Sequence, residues 1–165
     1  MAFDGFLKID GVDGESTDSK HSKWIEIHSF HHHVSQPTGG SGSSGSARAG
    51  ERVNIGDFSV VKSIGKDSPK LNLHCCNGKH FSEVTIELCR STGDKQAYLK
   101  YTLSDVLITH VRIGGSAKEG HSVPVEEIGF APGKFEITYT ATDPKTGKAS
   151  GDVKMHWSVN ENKGG

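Results

Sequence analysis

Apolar residues in this chain recur at every second position, and that spacing restricts its possible folds more than any other feature. Alternate side chains of a strand point to opposite faces, so a period of two writes one buried face and one solvated face. Phe3, Leu7 and Ile9 share a parity, as do Ile25 and Ile27, and then Val84, Ile86 and Leu88 behind Phe81. The longest run is Leu99, Tyr101, Leu103, Leu107, Val111 and Ile113, enough for one bent strand or two in series. Phe135, Ile137, Tyr139 and Ala141 form another run, and Val153, Met155, Trp157 and Val159 the last, after a turn at 143–147. The pattern predicts a mainly β fold, a small β-barrel of about six to seven antiparallel strands. One segment departs from it: Ser68-Pro69 through Gly78 offers a capping serine, a proline at the first helical position and a glycine just past the end. It predicts one short flanking α-helix over about 68–77. Leu71 and Cys75 share a face of that helix, so it is expected to lie on the barrel and bury its thiols.

The 165 residues suit a single domain, 1–165, with one core. Residues 37–50 contain no apolar side chain larger than alanine and read as a long Gly/Ser-rich, extended flexible loop, while 160–165 read as a flexible tail. Nineteen basic and twenty acidic residues are mixed along the chain, which argues against nucleic acid as a partner. The first ten residues lack a basic flank followed by an apolar run, and no stretch reaches membrane-spanning length. The expectation is synthesis in the cytoplasm and no membrane insertion. Three cysteines, two of them adjacent, do not make a disulfide framework.

Chemistry-bearing motifs fail on context. Gly40-Ser-Gly42-Ser-Ser-Gly45 has the spacing of a dinucleotide fingerprint but neither the strand before it nor the helix after it. The Gly-Lys pairs at 65–66, 78–79 and 147–148 lack the rest of a phosphate loop, and no serine sits in Gly-x-Ser-x-Gly. Glu126 and Glu127 alternate to opposite faces and read as solvated charges. Among ten histidines, His31 and His33 share one strand face while His28, Phe30, His32 and Val34 share the other. The run does not converge on one ion, although a pair can chelate; His74-Cys75-Cys76 with His80 lacks metal-ligand spacing. No catalytic residue, cofactor or metal site is expected, and the chain is not expected to be an enzyme.

The order of several short pieces does carry information. They are Phe6-Leu-Lys-Ile9; Val12-Asp-Gly14-Glu15-Ser16 followed by a lysine-rich turn and His21; and Val34-Ser35-Gln36 before the glycine-rich loop. Phe58 and Lys62 follow ahead of Asp67-Ser68-Pro69, then Gly78-Lys79-His80 and an ending from Gly151 through Trp157. Together they resemble the haemolysin-coregulated protein (Hcp) family, the tube protein of the bacterial type VI secretion system. The resemblance implies a homo-hexameric ring with an open bore, rings stacked into a tube, and a contractile sheath, a spike and effector proteins as partners. It also implies release to the exterior without a signal peptide. Where the family tends to have a Trp-Ser-Trp-like stretch before Ser-Gln, this chain has Phe30-His31-His32-His33-Val34. By position, the resemblance turns Ser29, His31 and His33 toward the bore as cargo contacts. It assigns ring stacking to the loop residues Gly39, Gly40, Ser41, Gly42, Ser43, Ser44, Gly45, Ser46, Ala47 and Arg48. The alternative is a β-barrel ligand- or carbohydrate-binding module, which an aromatic content of 7% makes poor in stacking platforms.

Overall fold

The computed structural model describes residues 2–38, 50–91, 93–117 and 123–165. Its strands are β1 (Phe3–Ile9), β2 (Ile25–Ile27), β3 (Ser29–His31), β4 (Val34–Ser35), β5 (Asn54–Ile55), β6 (Phe58–Ser63), β7 (Phe81–Arg90), β8 (Ala97–Gly114), β9 (Val125–Thr142), β10 (Ala149–Ser158) and β11 (Lys163–Gly164). A single helix, α1 (Ser68–Asn77), lies between β6 and β7. The mainly β class with one short helix is therefore what the sequence encodes. The strand segments outnumber the expected six to seven because the second apolar run is cut into β2, β3 and β4, and because short pairings form at β5 and β11.

The main sheet runs β11-β10-β9-β8-β7-β1-β2, all antiparallel. β9 is long enough to serve two neighbours on one edge, β6 along Val125–Phe130 and β10 further on. No single ladder closes this sheet. After β2 the chain bends at His28, whose N–H donates to the Val61 carbonyl at 2.7 Å, and resumes as β3 on β6. The wall is thus completed by a bend in one strand. Leu7, Val60, Val84, Leu103, Val106, Ile128 and Phe130 fill the interior and are fully buried. Each such side chain contributes roughly 1.5–3 kcal/mol of burial free energy.

β8 corrects the expected register. Asp105 has φ 51 and is paired in neither ladder; the register is the same on either side of it, yet the buried positions of β8 pass there from odd to even numbers. Val106 and Ile108 enter the core, whereas Leu107 and Val111 are half-buried and Ile113 is 53% exposed. The β8–β9 register itself slips by one residue further on, at Thr109.

α1 has the expected limits, but its N-cap residue is Asp67, not Ser68, and makes no side-chain cap bond. Leu71 is fully buried against the barrel. Cys75 is only half-buried and Cys76 is exposed, so the helix does not bury its thiols as expected: successive positions turn about 100° round the helix. Cys89 is buried on β7, and burial next to Glu87 pushes its thiol up to about 11. The end of the chain, read as a flexible tail, returns as β11 against β10, with Gly165 and His156 exchanging backbone hydrogen bonds at 2.9 and 3.1 Å.

Candidate functional site

Alternation along β3 and beyond is fixed by what lies beneath it. The His32 ring stacks on Phe58 at 3.8 Å and meets Phe135 and Tyr101 edge-on at 5.4 and 6.0 Å. With His32 turned inward, Ser29, His31 and His33 are exposed. Val34, expected on the inner face with His32, is exposed as well, because β4 leaves the barrel to pair with β5. The register continues outward from His31 to Ser59, from Ser59 to Gly129 and from Gly129 to His110. At Gly129 a Cβ would stand 2.3 Å from His110 Cε1, so only glycine lets that imidazole lie across β9. His110 Nε2 is 3.0 Å from Glu127 Oε1, and Thr109 Oγ1 donates to Asp57 Oδ2 at 2.6 Å. The outer side of β3, β6, β9 and β8 is therefore polar and rich in imidazole. The loop residues Gly39 to Arg48 lie outside the described residues; their flanks, Thr38 and Gly50, are joined by an antiparallel bridge.

Burial, with His31 and His33 as cationic neighbours, pushes the His32 imidazole down to about 4, from an ordinary 6.5. The folded protein thus holds His32 neutral where the unfolded chain protonates it. The resulting stabilisation is fully present above pH about 6.5 and is lost as pH falls toward about 4, to an extent of about 2–3 kcal/mol. Replacing His32 by phenylalanine is expected to flatten the fall in urea midpoint between pH 7 and pH 4.5. An unchanged pH profile would show that His32 does not govern acid sensitivity.

Beneath this face lies an ionic knot that the alternation of Glu126 and Glu127 did not foretell. Glu126 is 0% exposed and directly opposes Lys62, itself 2% exposed, correcting its reading as a solvated charge. Lys62 Nζ is 2.5 Å from Glu126 Oε1 and 2.9 Å from Asp67 Oδ2, and donates to the Ser63 carbonyl at 2.8 Å. The Asp67 contact is an ion pair by distance without hydrogen-bond alignment. Ser68 Oγ donates to Glu126 Oε1 at 2.6 Å, which is why that hydroxyl does not cap the helix. The knot ties β6, β9 and the start of α1 together.

A second tether fastens the segment between β1 and β2. The His21 ring stacks on Phe6 at 4.0 Å, with Nδ1 2.8 Å from Asp18 and Nε2 2.8 Å from Glu87. His21 and Lys95 hold the Asp18 carboxyl well below the usual range. Cys89 Sγ stands 3.9 Å from His21 Nε2. His21, Glu87 and Cys89 offer donor atoms within 4.8 Å of one another, but His21 is already bonded on both nitrogens and the thiol is held protonated. The cluster acts as a clasp.

Known proteins share this arrangement over nearly the whole chain. The family model described as type VI secretion system effector, Hcp, matches residues 6–139. The chain belongs to the Hcp family. It is 32% identical over 163 residues to protein hcp1 of Pseudomonas aeruginosa, covering 98% of each chain. A solved structure of a type six secretion system protein superposes with a TM-score of 0.92 at 32% identity, covering 99% of this chain and 100% of that one. Hcp1 of Salmonella typhimurium superposes with a TM-score of 0.79 at 28% identity, covering 99% of both. This is accordingly a type VI secretion Hcp protein, of a family of secreted structural proteins and not of a known enzyme family. No helix among the described residues is long and apolar enough to cross a membrane.

An apolar surface of this Hcp subunit lies exposed on β9 and β10. Along β9 and β10 the register pairs Tyr139 with Val153 and Ile137 with Met155, continuing on β8 to Leu99 and Tyr101. Tyr101 belongs to the core, but toward the β10 edge Tyr139 is 45%, Met155 39% and Val153 70% exposed. The core face of the sheet extends past the barrel, and among the described residues nothing covers it.

Proposed function

We propose that this protein is the structural tube subunit of a type VI secretion system: six copies form a ring, rings stack into a tube, and effectors travel in its bore. The exposed apolar stripe of Tyr139, Val153 and Met155 is the observation that carries the reading. A regular, strand-borne apolar face needs a partner, and a second copy repeated about an axis supplies one without leaving a free end. Six is the number the family implies. Family resemblance also supports the sheath and spike as partners, and cytoplasmic assembly followed by release along with the tube. On this reading the polar face bearing Ser29, His31 and His33 lines the bore and meets cargo. The ligand-binding alternative is weakened by an interior filled with aliphatic and aromatic side chains.

Replacing Val153 by aspartate tests the interface. A solvated charge costs the isolated subunit little at a site 70% exposed, whereas burial against a neighbour repeats the penalty at every contact round the ring. Sedimentation at micromolar concentration is expected to show folded monomer in place of rings. Rings that persist unchanged would remove this stripe from the interface.

A further inference from the structure

We propose that His31 and His33 form a chelating site for a borderline divalent transition metal such as Ni(II), Cu(II) or Zn(II). The geometry follows from the two residues' shared exposure and from the one between them. Residues i and i+2 flanking an inward side chain can point the same way about 7 Å apart, a span that two imidazoles close around one ion, and His31 and His33 are both exposed on either side of the half-buried His32. The backbone is tethered at both ends: His31 pairs with Ser59 at the end of β3, and the His33 carbonyl, just past that strand, accepts the Gly56 N–H at 2.8 Å. Between them, the stacking of His32 on Phe58 holds the alternation in place. Among the described residues neither the His31 nor the His33 imidazole has a hydrogen-bond or ion-pair partner, so coordination displaces no existing side-chain contact.

Nearby imidazoles are differently placed. His28 is bonded to Ser63 Oγ at 2.8 Å, His110 lies between Glu127 and Thr109, and His32 is turned inward. Asp57, just before β6, receives the Thr109 hydroxyl at 2.6 Å. The protein therefore supplies two nitrogen ligands, and water completes the coordination. Such a set suits tetragonal Cu(II) and Ni(II) better than the three or four protein ligands of a structural zinc site, with affinity rising from Ni(II) to Cu(II). Chelation is a property of one subunit and does not rest on ring formation; in a ring the sites would repeat once per subunit.

The experiment uses full-length protein without an affinity tag, carrying Cys75→Ser and Cys76→Ser to remove the helix thiols as competing ligands. Ni(II) titrated calorimetrically at pH 7.5 is expected to bind one ion per subunit with micromolar affinity. His31→Gln and His33→Gln should each weaken binding at least tenfold, and His28→Gln should leave it unchanged. Both positions are exposed, and circular dichroism checks that the variants fold. Undiminished binding in the His31→Gln, His33→Gln double variant, or no binding in the parent, would overturn the proposal.

Discussion

Replacing Lys62 by methionine is expected to lower folding stability by about 3–5 kcal/mol, the cost of leaving buried charge without its partner. Glu126 is 0% exposed and would lose its cationic neighbour, keeping only the Ser68 hydroxyl at 2.6 Å. Asp67 at 4% exposure would lose the same cation, and α1 begins on that residue. Adding Glu126→Leu to Lys62→Met should restore a substantial part of the loss, since two apolar residues of matching register pack against each other without a desolvation penalty. Urea unfolding of the wild type, both single variants and the pair measures this directly. A Lys62→Met midpoint equal to wild type would mean that the knot is not a structural element.

The second large effect concerns the loop. Replacing Gly39 to Ala49 by a two-residue turn is expected to preserve the folded subunit and largely preserve the ring, while abolishing stacking and secretion. The structural half of this follows from the bridge between Thr38 and Gly50, which already holds the two ends of the segment side by side. Shortening the connection lowers its closure entropy by about 1 kcal/mol, so the fold is not weakened. The functional half rests on the proposed stacking role of this segment, whose glycine and serine side chains add nothing to a core. Circular dichroism, native mass and a secretion assay on this variant separate the outcomes. Unfolding would make the segment a folding element, and normal secretion would make it a passive connection.

Much of the barrel could be read from alternation because core burial writes itself into every second residue. Val84, Ile86 and Leu88 were expected together on one face and are all buried. The helix was legible from Pro69 and Gly78, residues whose backbone demands are local. What escaped depends on distant parts of the chain. Asp105 adopts φ 51 where the buried parity of β8 changes, and nothing in the residues around it announces a left-handed backbone at that position. Glu126 looks like any surface carboxylate until Lys62 is placed opposite; the available hint was Lys62 itself, which shares the inward parity of Phe58 and Val60. The exposed stripe was misleading in the opposite sense. Val153 and Met155 alternate like core residues because β10 continues the inward face of β9, yet they stay 70% and 39% exposed, and periodicity does not record what lies over a face. Among the candidate site residues, strand parity put His31 and His33 on one face, but that this face is the exposed one depends on the stacking of His32 on Phe58, which was not legible.

The account stands most directly on subunit number. Native mass spectrometry of the untagged protein at micromolar concentration, with electron microscopy of the same sample, is predicted to show a closed six-subunit ring with a central opening. A species that stays monomeric across that range would contradict it.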